Sequence, residues 1–418
     1  MKKVAVIGGG FSGLSVAWAL CKEAHRQNWD VQIDIYEKHS CLGGLLQTQR
    51  DTWGLVEPAA NSILVSEAVD EMAKDFGVTW AKKKKTSRKR WVMTAKGPSR
   101  WPLSAFQTFK NLDRLLGVAK GSPRWIFKEQ ETIKQWGDRV FRTPQVVDEF
   151  IGPALSGVYS NRPQELSASL CLSSLFQKPQ PKSKGSMAPE TGMLEFFEKA
   201  EEFFKHQASV SVHLDTEIQD VKSLGADIVI DCRPNALGLK INYNHMTSVS
   251  VFWPGEGRPN IEGFGCLFPH SDKYIGVLFD TDIFEGRASQ DVFLEKWIIK
   301  NPEPQTQWTE KDTQDLLEFR FKNLQQNAKS LQRSNVEPLK VCAFSLSRAL
   351  PKYDLNLEAQ LNGATKKYFM GSKIYVDRNN DKHIFHGNYL GEIGLNKILH
   401  KSILIAKYVG DITASGAV

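Results

Sequence analysis

Between residues 8 and 13 the chain reads Gly8-Gly9-Gly10-Phe11-Ser12-Gly13, a glycine spacing that can cradle a diphosphate. Gly8 permits a tight turn, Gly10 leaves room for an anion beside the main chain, and Gly13 lets a helix close against a strand. A helix opening there presents free N–H groups and a partial positive charge to the phosphates. The apolar run Val4-Ala5-Val6-Ile7 predicts a strand before the turn, and the alanine- and leucine-bearing stretch to about Ala24 predicts the helix. Residues 31–36 alternate as a second strand, and Glu37 ends it, 24 residues past Gly13 and close to the ~20 expected. A carboxylate at that point accepts ribose hydroxyls and repels a 2′-phosphate. An incidental glycine turn needs neither the second strand nor the acid.

Composition bounds the class that must position this motif. A chain of 418 residues suits two or three domains with sizeable cores. Hydrophobic residues at 41% and charged residues at 24% are ordinary for a soluble globular protein. No stretch approaches the roughly 18 uninterrupted apolar residues of a spanning helix. Lys2-Lys3 and the apolar run to Leu20 imitate a signal peptide, but the glycines and the continuation to Glu37 fit a nucleotide fold better. Six cysteines (Cys21, Cys41, Cys171, Cys232, Cys266, Cys342) form no CxxC pair, which predicts reduced thiols in a cytoplasm and no zinc site. His383 and His386 lie three apart on an extended segment and point to opposite faces, so no metal is expected there.

The net charge of +7 is matched by one segment, in which Lys82, Lys83, Lys84, Lys85, Arg88, Lys89 and Arg90 crowd together. The patch is local and the remainder nearly balanced. A solvated loop, an anionic membrane surface or an anionic substrate would each suit it. No nucleic-acid module stands beside it, so nucleic acid is not an expected partner.

Elsewhere the text turns helical over 101–158, where Leu103, Phe106, Phe109, Leu112 and Leu115 recur every third residue. Residues 177–190 read as a Pro/Ser/Lys linker, 195–206 as a short helix, and 227–231 as a buried strand. Strands are expected at 248–253, 274–279, 340–344 and 382–385, with helices over 312–331 and 395–409. Nucleotide-type pieces at both ends predict an α/β chain with a discontinuous Rossmann-like domain (1–80, 190–235 and 370–418). The inserts form an α+β substrate domain (81–99, 163–189 and 236–369) and a helical insert (100–162).

The residues after Glu37 discriminate between dinucleotides. Cys41-Leu42-Gly43-Gly44-Leu45-Leu46-Gln47-Thr48 resembles the "E…GG…T" extension of the FAD-containing amine oxidase and phytoene desaturase superfamily. There the glycine pair lets backbone amides reach the flavin side of the diphosphate. Further stretches resemble the protoporphyrinogen oxidase family, in the family's order along the chain. They are Leu55 to Ser62, Arg90-Trp91-Val92 with Trp101-Pro102-Leu103, Phe150 to Tyr159 with Glu165-Leu166-Ser167, Gly263 to Pro269, Gly276 to Asp280, Leu350-Pro351-Lys352-Tyr353, and Gly387 to Gly391 with Gly394-Leu395-Asn396.

The resemblance implies FAD as cofactor, and dehydrogenation of protoporphyrinogen IX or coproporphyrinogen III in haem biosynthesis. Hydride passes to flavin N5, so no catalytic side chain is implied, which suits the absence of a Ser/His/Asp set. It implies cofactor contacts at Gly8, Gly10, Phe11, Ser12, Gly13, Glu37, Lys38, Gly43, Gly44, Leu45, Asn61, Ser62, Ile218, Gly387, Asn388, Gly394, Leu395 and Asn396. Arg90 matches the family's propionate-binding arginine, and Leu267 and Phe284 stand where it packs a pyrrole ring. Residues 100–160 match its membrane-associated region. Trp101, Phe106, Phe109, Trp125 and Phe127, with Lys110, Arg114, Lys120 and Arg124, suit either an interfacial face or a buried cap. The implied location is the cytoplasm, with peripheral contact to the inner face of the membrane.

Several positions depart from the family. Ala59-Ala60 replace Gly-Pro, Gln47 replaces a basic residue, and the stretch from Ile218 to Asp227 is short. Asn356-Leu357 replace Gly-His, and Glu392, Lys397 and Ser402 replace Gly, Asp and Gly. Three readings stay open: a porphyrinogen oxidase, another amine oxidase or desaturase-type flavoenzyme, and a flavin-fold protein without turnover.

Overall fold

The computed structural model describes residues 1–101, 111–120, 125–176, 183–304, 307–324 and 336–414. Two seven-stranded sheets organise them. In the first, β1 (Lys2–Ile7) runs parallel to β2 (Val31–Tyr36) on one side and to Ile228–Asp231 on the other. Helix α1 (Phe11–Gln27) crosses from β1 to β2 and stops at Asn28, whose left-handed conformation (φ 52°) caps it. Val4, Val6, Ile33, Ile35, Ile228 and Ile230 are wholly or almost wholly buried. Each such side chain contributes about 1.5–3 kcal/mol, which is why this continuous apolar text becomes the central strands. Val210–His213 extends the sheet past β2. His383–Phe385, Ser372–Val376 and Lys366–Phe369 extend it the other way. Strands from both ends of the chain thus share one sheet, and the expected discontinuous α/β architecture is what the structure has.

The second sheet has the order Lys340–Pro351, Tyr243–Pro254, Val292–Asn301, Tyr274–Leu278, Gly265–Leu267, Arg90–Thr94, Gly97–Arg100. It is antiparallel except between Gly265–Leu267 and Arg90–Thr94. Val249, Val251 and Trp253 alternate onto a core shared with Phe268, Trp297 and Leu316, the last on helix Glu310–Leu324. Arg320 of that helix is fully buried, and its Nε donates to Glu295 Oε1 at 2.6 Å. The indole N–H groups of Trp253 and Trp297 donate to the same oxygen. A buried ion pair with this many hydrogen bonds fastens the helix to the sheet.

A third core joins helices Ile133–Val140, Gly152–Tyr159 and Ala168–Phe176 through Trp136, Tyr159 and Leu172. Helix Leu355–Gly363 packs into this core through Leu357 and Leu361, although the sequence boundaries group it with the substrate domain.

Some local expectations shift. The helix expected over 312–331 begins at Glu310 and is described to Leu324, residues 325–331 lying outside the described residues, and the last helix runs Leu395–Ala414. Within the expected 177–190 linker, Ser186–Met187 pairs with Ile63–Leu64, because main-chain bonding overrides a composition that reads as loop. Leu103, Phe106, Phe109, Lys110 and Arg124 lie outside the described residues. Among the described residues no helix is long and apolar enough to cross a membrane.

Candidate functional site

The glycine-rich turn joins β1 to α1, and its geometry explains the glycine at position 13. A Cβ there would stand 1.8 Å from the Gly8 carbonyl oxygen, so any side chain would drive helix from strand. Glu37 follows β2 and is only 6% exposed. One of its oxygens accepts the Gly9 N–H at 2.7 Å and the other accepts that of His39 at 2.9 Å. The carboxylate is therefore locked against the turn, with lone pairs left for a ribose.

Gly43 and Gly44 lie against the same turn. Gly43 pairs with Gly10 in a parallel bridge and donates its N–H to the Gly9 carbonyl at 3.0 Å. That amide is thus engaged with protein, and closeness is what the glycine pair supplies here. A Cβ on Gly44, whose φ is +58°, would stand 3.0 Å from Gly10 Cα. Two bare main chains facing each other at a helix N-terminus form a cradle suited to a dinucleotide diphosphate. Lys38 and Leu45 are exposed beside it. Phe11 is turned into the core, edge-on to Phe196, so only its main chain faces the turn. Ser12 offers its carbonyl to Ser15 Oγ. Ile218 packs beneath the sheet with Ala5 and Ile7, and its carbonyl accepts from Arg233.

The closing segment is brought to α1 by a buried polar chain. His386 Nε2 lies 2.8 Å from Ser402 Oγ, which lies 2.7 Å from Ser15 Oγ. Burial pushes the His386 imidazole down to about 3, so it is neutral. Ser402, a departure from the family pattern, is thereby satisfied. Gly394 (φ +91°) turns the chain into the last helix, with half-buried Leu395 opening it. Asn396 Oδ1 accepts from Ser66 Oγ at 2.7 Å, and the Asn388 carbonyl, one residue past Gly387, accepts the Tyr353 hydroxyl. His383 faces away from His386, toward Asp231 at 3.5 Å. Among the described residues no cluster of ligands suits a metal.

Sequence reasoning missed a buried charge cluster against the Val292–Asn301 strand of the second sheet. Lys296, 0% exposed on Val292–Asn301, donates to Asn61 Oδ1 at 2.5 Å and to the Ala59 carbonyl. Asn61 Nδ2 donates in turn to Asp280 at 2.5 Å. Glu57 accepts from Met193 N–H at 2.7 Å and from Thr48, with Arg287 3.9 Å away. Burial pushes Asp280 up to about 6, against the pull of Lys296 and Arg287. Burial likewise raises Glu57 and lowers Lys296. The side chain of Asn61 is thus held between Lys296 and Asp280, leaving main chain and half-buried Ser62 to face outward. The available signal was Glu295-Lys296 inside the apolar run Phe293 to Ile299.

In the second sheet, Arg90 and Leu267 come together on adjacent strands, where Arg90 is in register with Gly265 and Val92 with Leu267. Arg90 is exposed, with its guanidinium 4.6 Å from the centre of the Phe264 ring. Leu267 is half-buried, and a Cβ on Gly157 would lie 3.1 Å from its methyl. Phe284 does not join them. It is 3% exposed in the first core, beneath the Arg287 guanidinium, because an aromatic ring next to a short helix gains more from burial than from an open face.

A domain family described as an NAD(P)-binding Rossmann-like domain matches residues 6–76. Coproporphyrinogen III oxidase of Bacillus subtilis (strain 168) is 24% identical over 193 residues, which span 43% of this chain and 41% of that protein. A putative protoporphyrinogen oxidase from Exiguobacterium sp. 255-15 has a TM-score of 0.71, with 16% identity over 98% of each chain. Putrescine oxidase bound to putrescine has a TM-score of 0.63, with 14% identity over 99% of each chain. Reduced UDP-galactopyranose mutase has 0.67, with 12% identity over 99% of this chain and 94% of that one. Oxidases and a mutase share the architecture, so it fixes the fold and leaves the reaction to the site. The chain has the Rossmann-like α/β fold that these solved structures share.

Proposed function

We propose that this chain is an FAD-dependent oxidoreductase that dehydrogenates a porphyrinogen, protoporphyrinogen IX or coproporphyrinogen III, to the porphyrin. The observation that carries the reading is an exposed guanidinium, Arg90, on the strand beside an apolar Leu267. A flat macrocycle with propionates asks for this combination of a greasy surface and a planar cation. The likeness to a coproporphyrinogen III oxidase supports the same substrate class.

Bound flavin would supply the hydride acceptor. The chain's own residues bind and orient. The Gly10 and Gly44 main chains and the start of α1 hold the diphosphate, and Glu37 holds the ribose. The last helix opens at Leu395, and the partial positive charge of its N-terminus would favour an anionic group there. Arg90 grips a propionate, while Leu267 supports a pyrrole ring.

Anaerobic mixing of the FAD-loaded protein with protoporphyrinogen or coproporphyrinogen tests this directly. Bleaching of the flavin band is expected, and an unchanged spectrum with both substrates refutes the reading. A protein that takes up no FAD would instead be a flavin-fold protein without turnover.

A further inference from the structure

The basic segment before Arg90 is divided into paired and unpaired charges. Lys82 pairs with Glu285 at 3.2 Å and Lys89 pairs with Glu262. Lys83, Lys84, Lys85, Arg88 and Arg90 have no such partner: among the described residues, which include every Asp and Glu of the chain, no carboxylate lies within 4.0 Å of them. The segment is not a loose tail. Lys83 bridges Phe284, Lys84 N–H donates to the Ile283 carbonyl at 3.0 Å, and Thr86 Oγ1 donates to the Asp282 carbonyl at 2.7 Å.

A lysine of a solvated run extends its head into water, and Lys83 does not. It is half-buried, and its Nζ turns inward to donate to the Ser186 carbonyl at 3.3 Å. Ser186 pairs with the Ile63–Leu64 strand, which directly follows Asn61 and Ser62. Lys83 therefore reaches from the substrate elements toward the cofactor-side segment. Burial, then Arg90 and Arg88, hold its ammonium below the usual lysine range. Like charges gathered without counter-charge are unfavourable in the free protein, and bound anions relieve them.

We infer that Lys83, Arg88 and Arg90 together hold two carboxylates of one porphyrinogen, so that a pair of propionates on one edge, and not a single one, is read. The inference rests on the porphyrinogen reading above and deepens it. Arg90, over the Phe264 ring, takes one carboxylate, and Lys83 with Arg88 takes the other.

Fluorescence quenching of mesoporphyrin IX by the FAD-loaded protein tests this against the monomethyl and dimethyl esters. The wild type should bind the diacid about tenfold more tightly than the monoester, the worth of one charge-assisted contact. The Lys83→Gln/Arg88→Gln variant should lose that preference while flavin content and Tm stay unchanged, and Lys83→Arg should keep it. A double variant that still prefers the diacid about tenfold overturns the inference and leaves the porphyrinogen reading standing. A wild type that binds FAD but none of the three porphyrins overturns both. Loss of binding to phosphatidylglycerol vesicles with an unchanged diacid preference assigns the patch to lipid, and also overturns the inference.

Discussion

Replacing Lys296 by methionine tests whether buried charge fastens the Ala59–Asn61 segment and the Asp280 helix to the second sheet. Methionine keeps the length of the side chain and removes the ammonium that Asp280 and Glu57 face across Asn61. Leaving a buried charge uncompensated costs about 3–5 kcal/mol. Arg287 stays beside Glu57 at 3.9 Å, so the lower end applies. The penalty depends on pH, and its sign follows from Asp280. That carboxyl already stands near 6 in the folded protein against an ordinary 3.8, and losing the Lys296 attraction raises it further. A raised carboxyl favours the folded state below its unfolded value and loses that advantage as pH climbs through its folded value. In the wild type the loss is complete soon above pH 6; in the variant it continues. Over the two units from pH 6 to 8, at about 1.4 kcal/mol per unit, the variant's deficit should widen by up to about 3 kcal/mol. Raised Glu57 acts in the same direction. Urea unfolding followed by tryptophan fluorescence at both pH values measures this. A deficit below about 1 kcal/mol at pH 8, or one equal at both values, would refute the assignment.

Gly13→Ala should abolish FAD uptake, since its Cβ would sit 1.8 Å from the Gly8 oxygen; flavin absorbance at wild-type stoichiometry would contradict this. His386 is fully buried with its imidazole held down to about 3, so below its ordinary 6.5 only the unfolded chain takes the proton. Stability present above pH 6.5 should fall by about 2 kcal/mol at pH 5, and His386→Gln should flatten that slope in urea titrations. Arg320→Met strands Glu295 among two tryptophans and should cost about 3–5 kcal/mol. Combined with Lys296→Met, its effect should add to within about 0.5 kcal/mol, and a larger coupling would mean that the two networks are one.

The dinucleotide half of the fold was legible because its signals are local. Val4 to Ile7, the glycine spacing, the alternation of β2 and Glu37 all lie within one short stretch, and each carries its own steric reason. Arg90 and Leu267 were singled out by family resemblance alone, and the register that joins their strands is seen only in the sheet. Phe284 was open to either reading, because an aromatic residue beside a short helix reads alike whether it lines a site or fills a core. The 186–187 strand was hidden for a related reason, since its partner lies at residues 63–64 and its own composition reads as loop.

The charge cluster was illegible for a deeper reason. Lys296 finds its hydrogen-bond partners at residues 59 and 61, and no periodicity reports a contact across more than 200 residues of sequence. Yet Glu295 and Lys296 stand side by side in a strand flanked by Leu294 and Trp297, and both are wholly buried. Neighbours on a strand point to opposite faces, so these two charges cannot pair with each other. Each must find an opposite charge on its own side, and each does: Glu295 meets Arg320 beneath the sheet, while Lys296 meets the Asn61–Asp280 pair above it. Adjacent opposite charges inside an apolar strand therefore predict a sheet covered on both faces.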